Sequence, residues 1–122
     1  MEATGFSGGI WLLWNENKVH VDFVDSNVQS ITVKIALPGK PTWLFSAIYA
    51  SPTPAVRSTL WNYLDNLILS HDLPWMLMGD FNELVSSSDK NCGPFIGRFG
   101  GLRDWINRNA MIDLGFVGSC YT

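Results

Sequence analysis

The chain has 122 residues, 47% hydrophobic and 13% aromatic with 6 tryptophans, and intrinsically disordered chains are poor in such residues, so a packed core is expected. The formal charge is −3, from 8 basic and 11 acidic residues; this lacks the global basic footprint of a dedicated nucleic-acid binder, and any phosphate-binding site must be local. The two cysteines, Cys92 and Cys120, lie far apart and make neither a zinc spacing nor a disulfide framework.

The start, M-E-A-T-G-F-S-G-G, lacks the basic and apolar segments of a secretion signal. No run approaches the ~20 apolar residues that span a bilayer. An intracellular protein is expected, in nucleus or cytoplasm and not secreted, with no membrane partner.

In chain order, Gly9 to Trp14 (G-I-W-L-L-W) is a short apolar run and predicts a strand buried on both faces. N-E-N-K predicts a turn. K-V-H-V-D-F-V-D alternates, with Val19, Val21 and Phe23 on one side and His20 and Asp22 on the other. Q-S-I-T-V-K-I-A-L alternates again: Ile31, Val33, Ile35 and Leu37 share a face, opposite Thr32 and Lys34. Period two with short turns predicts an antiparallel meander with one wet face. P-G-K-P is a turn, and T-W-L-F-S-A-I-Y is the next strand, closed by A-S-P-T-P.

The period then changes. From Val56 to Ser70, Leu60, Leu64, Leu67 and Ile68 recur at helical spacing, and Asp72 and Pro74 end the helix. Pro74 to Met78 predicts an apolar central strand leading into Gly79. Residues 83–101, rich in Ser, Asn, Gly and Pro, predict a long loop. Leu102 to Ala110 predicts a short helix with Leu102, Trp105 and Ile106 inward. Ile112, Leu114 and Phe116 look like the start of a further buried element, so both ends are expected to be cut into a larger fold.

The segment G-D-F-N (residues 79–82) places a carboxylate and a carboxamide two positions apart at the end of a strand. α/β proteins place sites at the carboxyl ends of strands. In an extended turn, Asp80 and Asn82 project to one side and Phe81 to the other. A carboxylate there can hold or deprotonate a water, and a neutral amide can donate to a phosphate oxygen without charge repulsion. The plain alternative is that both side chains satisfy turn amides, as Asx residues commonly do. Tyr49, in S-A-I-Y-A-S-P, ends another predicted strand and offers a hydroxyl to a phosphate oxygen; a buried ring with a wet hydroxyl explains it equally simply.

Taken in order, G-G-I-W-L-L-W, A-I-Y-A-S-P, a helix with R-x-x-L-W-x-x-L, P-W-M-L-M-G-D-F-N-E-L and D-L-G-F-V-G-S-C-Y-T resemble the endonuclease/exonuclease/phosphatase superfamily. Within it they are most similar to the endonuclease region of plant non-LTR (LINE-type) retrotransposons, over nearly the whole chain. The resemblance implies an α/β (α+β) fold: a two-sheet β-sandwich flanked by helices, DNase-I-like and four-layered, of which residues 1–122 are a single partial domain. It implies magnesium-dependent cleavage of phosphodiesters, with DNA as partner. By motif match Tyr49 contacts the scissile phosphate, Asp80 activates the water and is a weak, incomplete metal ligand, and Asn82 supports the phosphate or Asp80.

The family pattern also has a metal-binding glutamate on an early strand and an aspartate–histidine pair on a late one. Nothing here matches either, so little activity is expected of this chain alone. Self-association through an uncovered sheet is a further expectation. Arg98 and Arg103 are candidate DNA-backbone contacts, against the simpler reading of a solvated helix face. His20 and His71 read as a solvated strand residue and a helix-end residue. A non-catalytic α/β interaction module, or an enzyme for a smaller phosphodiester, are the competing readings.

Overall fold

The structure, a computed structural model, describes residues 9–82 and 101–115. The chain divides into two compact units, Met1–Asp80 and Phe81–Thr122. The first contains β1 (His20–Asn27), β2 (Ser30–Ala36), β3 (Trp43–Tyr49), α1 (Pro54–Ser70) and β4 (Trp75–Asp80). The second contains α2 (Gly101–Arg108). The fold is therefore mixed α/β, with one four-stranded sheet and two helices among the described residues.

The strands follow one another across the sheet in the order β1-β2-β3-β4. The first three pair antiparallel and β4 joins β3 parallel, with α1 as the crossover. The meander expected from period-two alternation is present. Its second turn uses Pro38 and Gly39: Gly39 takes φ 71°, and the Lys40 amide donates to the Leu37 carbonyl at 3.1 Å. Proline pre-sets one turn position and glycine takes the left-handed one at no steric cost. The expected N-E-N-K turn is also present, closed by the Lys18 amide on the Asn15 carbonyl at 2.9 Å.

The apolar run Gly9 to Trp14 is not a strand. Ile10 is buried, but Trp11 and Leu13 are 81% and 89% exposed. Hydrophobicity alone does not make a strand, because backbone groups need a neighbouring edge to pair with, and no described strand pairs with this segment.

The meander's expected wet face is also corrected. Thr32, which the alternation assigns to solvent, is fully buried, together with Ser30 and Ser46. They share a face with Leu44, Ile48 and Trp75, as the register sets Thr32 opposite Ser46 and Ser30 opposite Ile48. Helix α1 lies on this side. Its buried residues Leu60, Trp61, Leu64 and Leu67 form one stripe, and its Tyr63 hydroxyl meets Asp25, the register partner of Thr32. Burying hydroxyls is tolerable when they are bonded. Thr32 Oγ1 and Ser46 Oγ lie 2.6 Å apart, and Trp75 Nε1 donates to Ser46 Oγ at 2.8 Å.

Phe23, expected inward, is 68% exposed on the opposite face, beside Val33. The register of β1 shifts between Phe23 and Asp25. An extra residue there breaks the strict alternation of the strand, and it brings Asp25 round to the α1 side.

Helix α1 begins with Pro54 at its first turn, where a missing N–H costs nothing. It ends at His71, whose imidazole Nδ1 is 3.1 Å from the Leu67 carbonyl, in keeping with its reading as a helix-end residue. The Tyr63 hydroxyl is closed off from solvent without a bond of full geometry. Burial first, and then the nearby Asp25 carboxylate, push its pKa above the usual tyrosine range.

In the second unit α2 buries Leu102 and Trp105, as the spacing predicted. It closes with Ala110 at φ 52° and the Met111 amide on the Ile106 carbonyl at 3.0 Å. Ile112 and Leu114, expected to open a buried element, are exposed and in no regular structure. Phe116 and the expected loop up to Gly100 lie outside the described residues, and Gly101 already belongs to the helix.

Candidate functional site at the ends of two parallel strands

β3 and β4 run side by side in the same direction and end together. Tyr49 is the last residue of β3, Asp80 the last of β4, and the two are register partners. Partners in a parallel pair present their side chains to the same face. The face is the one away from α1, since the α1 side takes the alternate residues Ile48 and Gly79. Tyr49 is 40% exposed and Asp80 is exposed. A phenol and a carboxylate thus stand next to each other at an accessible sheet end.

Gly79 makes this close pairing possible. Its φ is 142°, and a Cβ built on it would sit 2.0 Å from the backbone carbonyl oxygen of Ile48. No other residue fits there without pushing β4 off β3. The glycine before the aspartate is therefore a requirement of strand contact.

The segment after Tyr49 is fixed through three successive amides. Tyr49 N–H donates to the Gln29 carbonyl at 2.8 Å, Ala50 N–H to the Asp80 carbonyl at 2.8 Å, and Ser51 N–H to Gln29 Oε1 at 2.8 Å. Gln29 Nε2 donates onward to the Val56 carbonyl at 3.0 Å and to Thr59 Oγ1 at 3.3 Å. Arg57, also buried, donates from one guanidinium nitrogen to the carbonyls of Ser51 and Pro52 at 2.9 and 3.0 Å. The sequence reading gave Gln29 no role and saw Arg57 only as part of a helix motif. At the head of the alternating run Q-S-I-T-V-K-I-A-L a polar residue looks like an ordinary strand end, and nothing in its spacing signals burial.

β4 ends at Asp80, so strand alternation does not extend to Asn82, which takes φ 51°. Asparagine tolerates this left-handed conformation better than most residues. Asn82 belongs to the second unit. Arg103 is exposed on α2; Arg98, Glu83 and Cys92 lie outside the described residues. His20 is exposed on β1 with Nε2 3.1 Å from Asp22 Oδ1, an ordinary surface pair.

Among the described residues no three His, Cys, Asp or Glu side chains are grouped to hold a metal ion. No described helix is long and apolar enough to cross a membrane. No protein-family model matches the chain, and no curated protein matches it significantly.

Proposed function

We propose that the chain carries part of a magnesium-dependent phosphodiesterase site of the endonuclease/exonuclease/phosphatase type, with DNA as substrate, of the kind that retrotransposon endonucleases carry. The observation that supports this most is the register pairing of Tyr49 with Asp80 at the ends of adjacent parallel strands, with Gly79 allowing the close approach. The phenol donates to a phosphate oxygen, and the carboxylate orients and deprotonates the attacking water. Asn82 supports the phosphate in this reading, and Arg98 and Arg103 contact the DNA backbone.

The fit to magnesium is partial. Magnesium commonly takes one or two carboxylates and keeps several waters; Asp80 offers one exposed carboxylate, and the described residues build no cage around it. A metal held there would neutralise charge on the phosphate. The two-sheet sandwich belongs to the same proposal. The sheet face away from α1 exposes Phe23, Met76 and Met78, an apolar surface of the kind a second sheet covers. That same surface favours the second reading, a non-catalytic interaction module.

Plasmid nicking with magnesium tests the choice. Slow nicking by the wild-type chain that disappears in Asp80→Ala and drops in Tyr49→Phe is the expected result. Nicking that survives Asp80→Ala removes the assigned site. Absence of both nicking and duplex binding in the wild type leaves the interaction module.

A further inference from the structure

We infer that Gln29 is a positioning residue for the Tyr49–Asp80 site, holding the phenol in register with the carboxylate through the backbone of residues 49–51. This inference rests on the phosphodiester-binding reading of that site.

Gln29 is only 3% exposed although it sits in the turn between β1 and β2, whose other residue, Val28, is 77% exposed. Burial of a polar side chain is costly unless its groups are bonded, and Gln29 spends nearly all of its capacity. Its amide donates to Asn27 Oδ1 at 2.8 Å, its carbonyl accepts from Tyr49, its Oε1 accepts from Ser51, and its Nε2 donates to the start of α1. One residue therefore links four places: its backbone bonds the hairpin turn and the end of β3, and its side chain bonds the segment beyond β3 and the crossover helix. The Ala50 amide, between the two amides bonded to Gln29, is bonded to Asp80. The backbone around Tyr49 is thus held from both sides, by Gln29 and by the residue it must work with. Arg57 closes the next two carbonyls, of Ser51 and Pro52. A small misplacement of a group that must meet a substrate can cost up to ~10²-fold, so the placement of Tyr49 depends on a residue twenty positions earlier that touches no substrate.

The test uses the isotope-labelled full chain with a short phosphorothioate DNA duplex and magnesium, in wild type, Gln29→Ala and Gln29→Glu. Three quantities are read: the thermal melt, hydrogen exchange at Ser51, and the shift of the Tyr49 ring resonances on adding duplex. In Gln29→Ala, exchange at Ser51 speeds by ~10-fold or more relative to amides in the middle of β2 and β3, and the Tyr49 response weakens by a similar factor. Gln29→Glu recovers the response in acid, where a protonated carboxyl both accepts from Ser51 and donates to Val56, and loses it as the carboxyl ionises. A purely structural role predicts no such acid-dependent recovery at Tyr49.

An unchanged Tyr49 response in a folded Gln29→Ala overturns the inference. So does a loss of protection spread evenly over the sheet. Should Gln29→Ala not fold, the pH dependence of Gln29→Glu decides. A wild-type Tyr49 that ignores the duplex overturns the phosphodiester reading itself, and this is distinguishable because it appears before any substitution.

Discussion

The sheet face under α1 carries Ser30, Thr32, Ser46 and Trp75 beside Leu44 and Ile48, whereas the other face shows Phe23, Phe45, Met76 and Met78. The hydroxyl-bearing face is the better buried: Thr32 and Ser46 are closed to solvent, while Phe23 and Met78 are 68% and 60% exposed. Hydropathy by itself would assign them the other way. What decides is whether polar groups find partners. Thr32, Ser46 and Trp75 bond to one another, so the helix covers them at little cost. The apolar face remains half open, and it bears the Tyr49–Asp80 pair.

The contrast can be broken most severely at Gly79, on the face that bears α1. Gly79→Ala forces a Cβ into the Ile48 carbonyl at a φ that suits only glycine, and a cost of about 4 kcal/mol or more is expected. That approaches the whole stability of a small domain, so the melt should be lost or fall steeply. A near-normal melting temperature would show that β4 does not pack against β3 as described.

A smaller effect is expected in the buried hydroxyl network. Ser46→Ala leaves Trp75 Nε1 and the Thr32 hydroxyl without their partner and should cost about 1–3 kcal/mol. Adding Thr32→Val should cost less than its effect alone, which denaturant unfolding of the four species in a double-mutant cycle measures. Strict additivity would separate the two hydroxyls.

Tyr63, on α1 beside Asp25, sharpens the covered face through pH. Its pKa is raised in the folded chain, so the folded state holds the phenolic proton more tightly than the unfolded state. That stabilisation is fully present below the unfolded value, ~10, and is lost as pH climbs through the higher folded value. Denaturant midpoints measured above pH ~10 should fall in wild type and fall less in Tyr63→Phe. The weakest effect belongs to the open face: Met78→Thr should change stability by no more than ~0.5 kcal/mol. A loss several times larger would mean that this face is covered in solution.

Much of the local structure was legible from residue order. Leucine spacing marked α1, Pro38-Gly39 marked a turn, and the apolar run before Gly79 marked β4, because each depends on short-range periodicity or on backbone preference. The central place expected for β4 is corrected to an edge of the sheet among the described residues, since it pairs with β3 alone. Tyr49 and Asp80 were legible as strand-end residues for the same reason. Gln29 was not, since its importance comes from bonds to residues twenty and more positions away. The G-I-W-L-L-W segment misled because an apolar run contains no information about the edge it must pair with.

The sequence by itself determined the elements of this protein: two alternating strands and a third strand after them, a leucine-striped helix, and an apolar strand leading into Gly79. Only the tertiary structure decided which sheet face the helix covers, that Tyr49 and Asp80 stand in register, and that Gln29 bonds Tyr49 and Ser51 at the end of β3. Covalent neighbours set dihedral preference and period, whereas burial and pairing are settled by partners that meet only when the chain closes on itself.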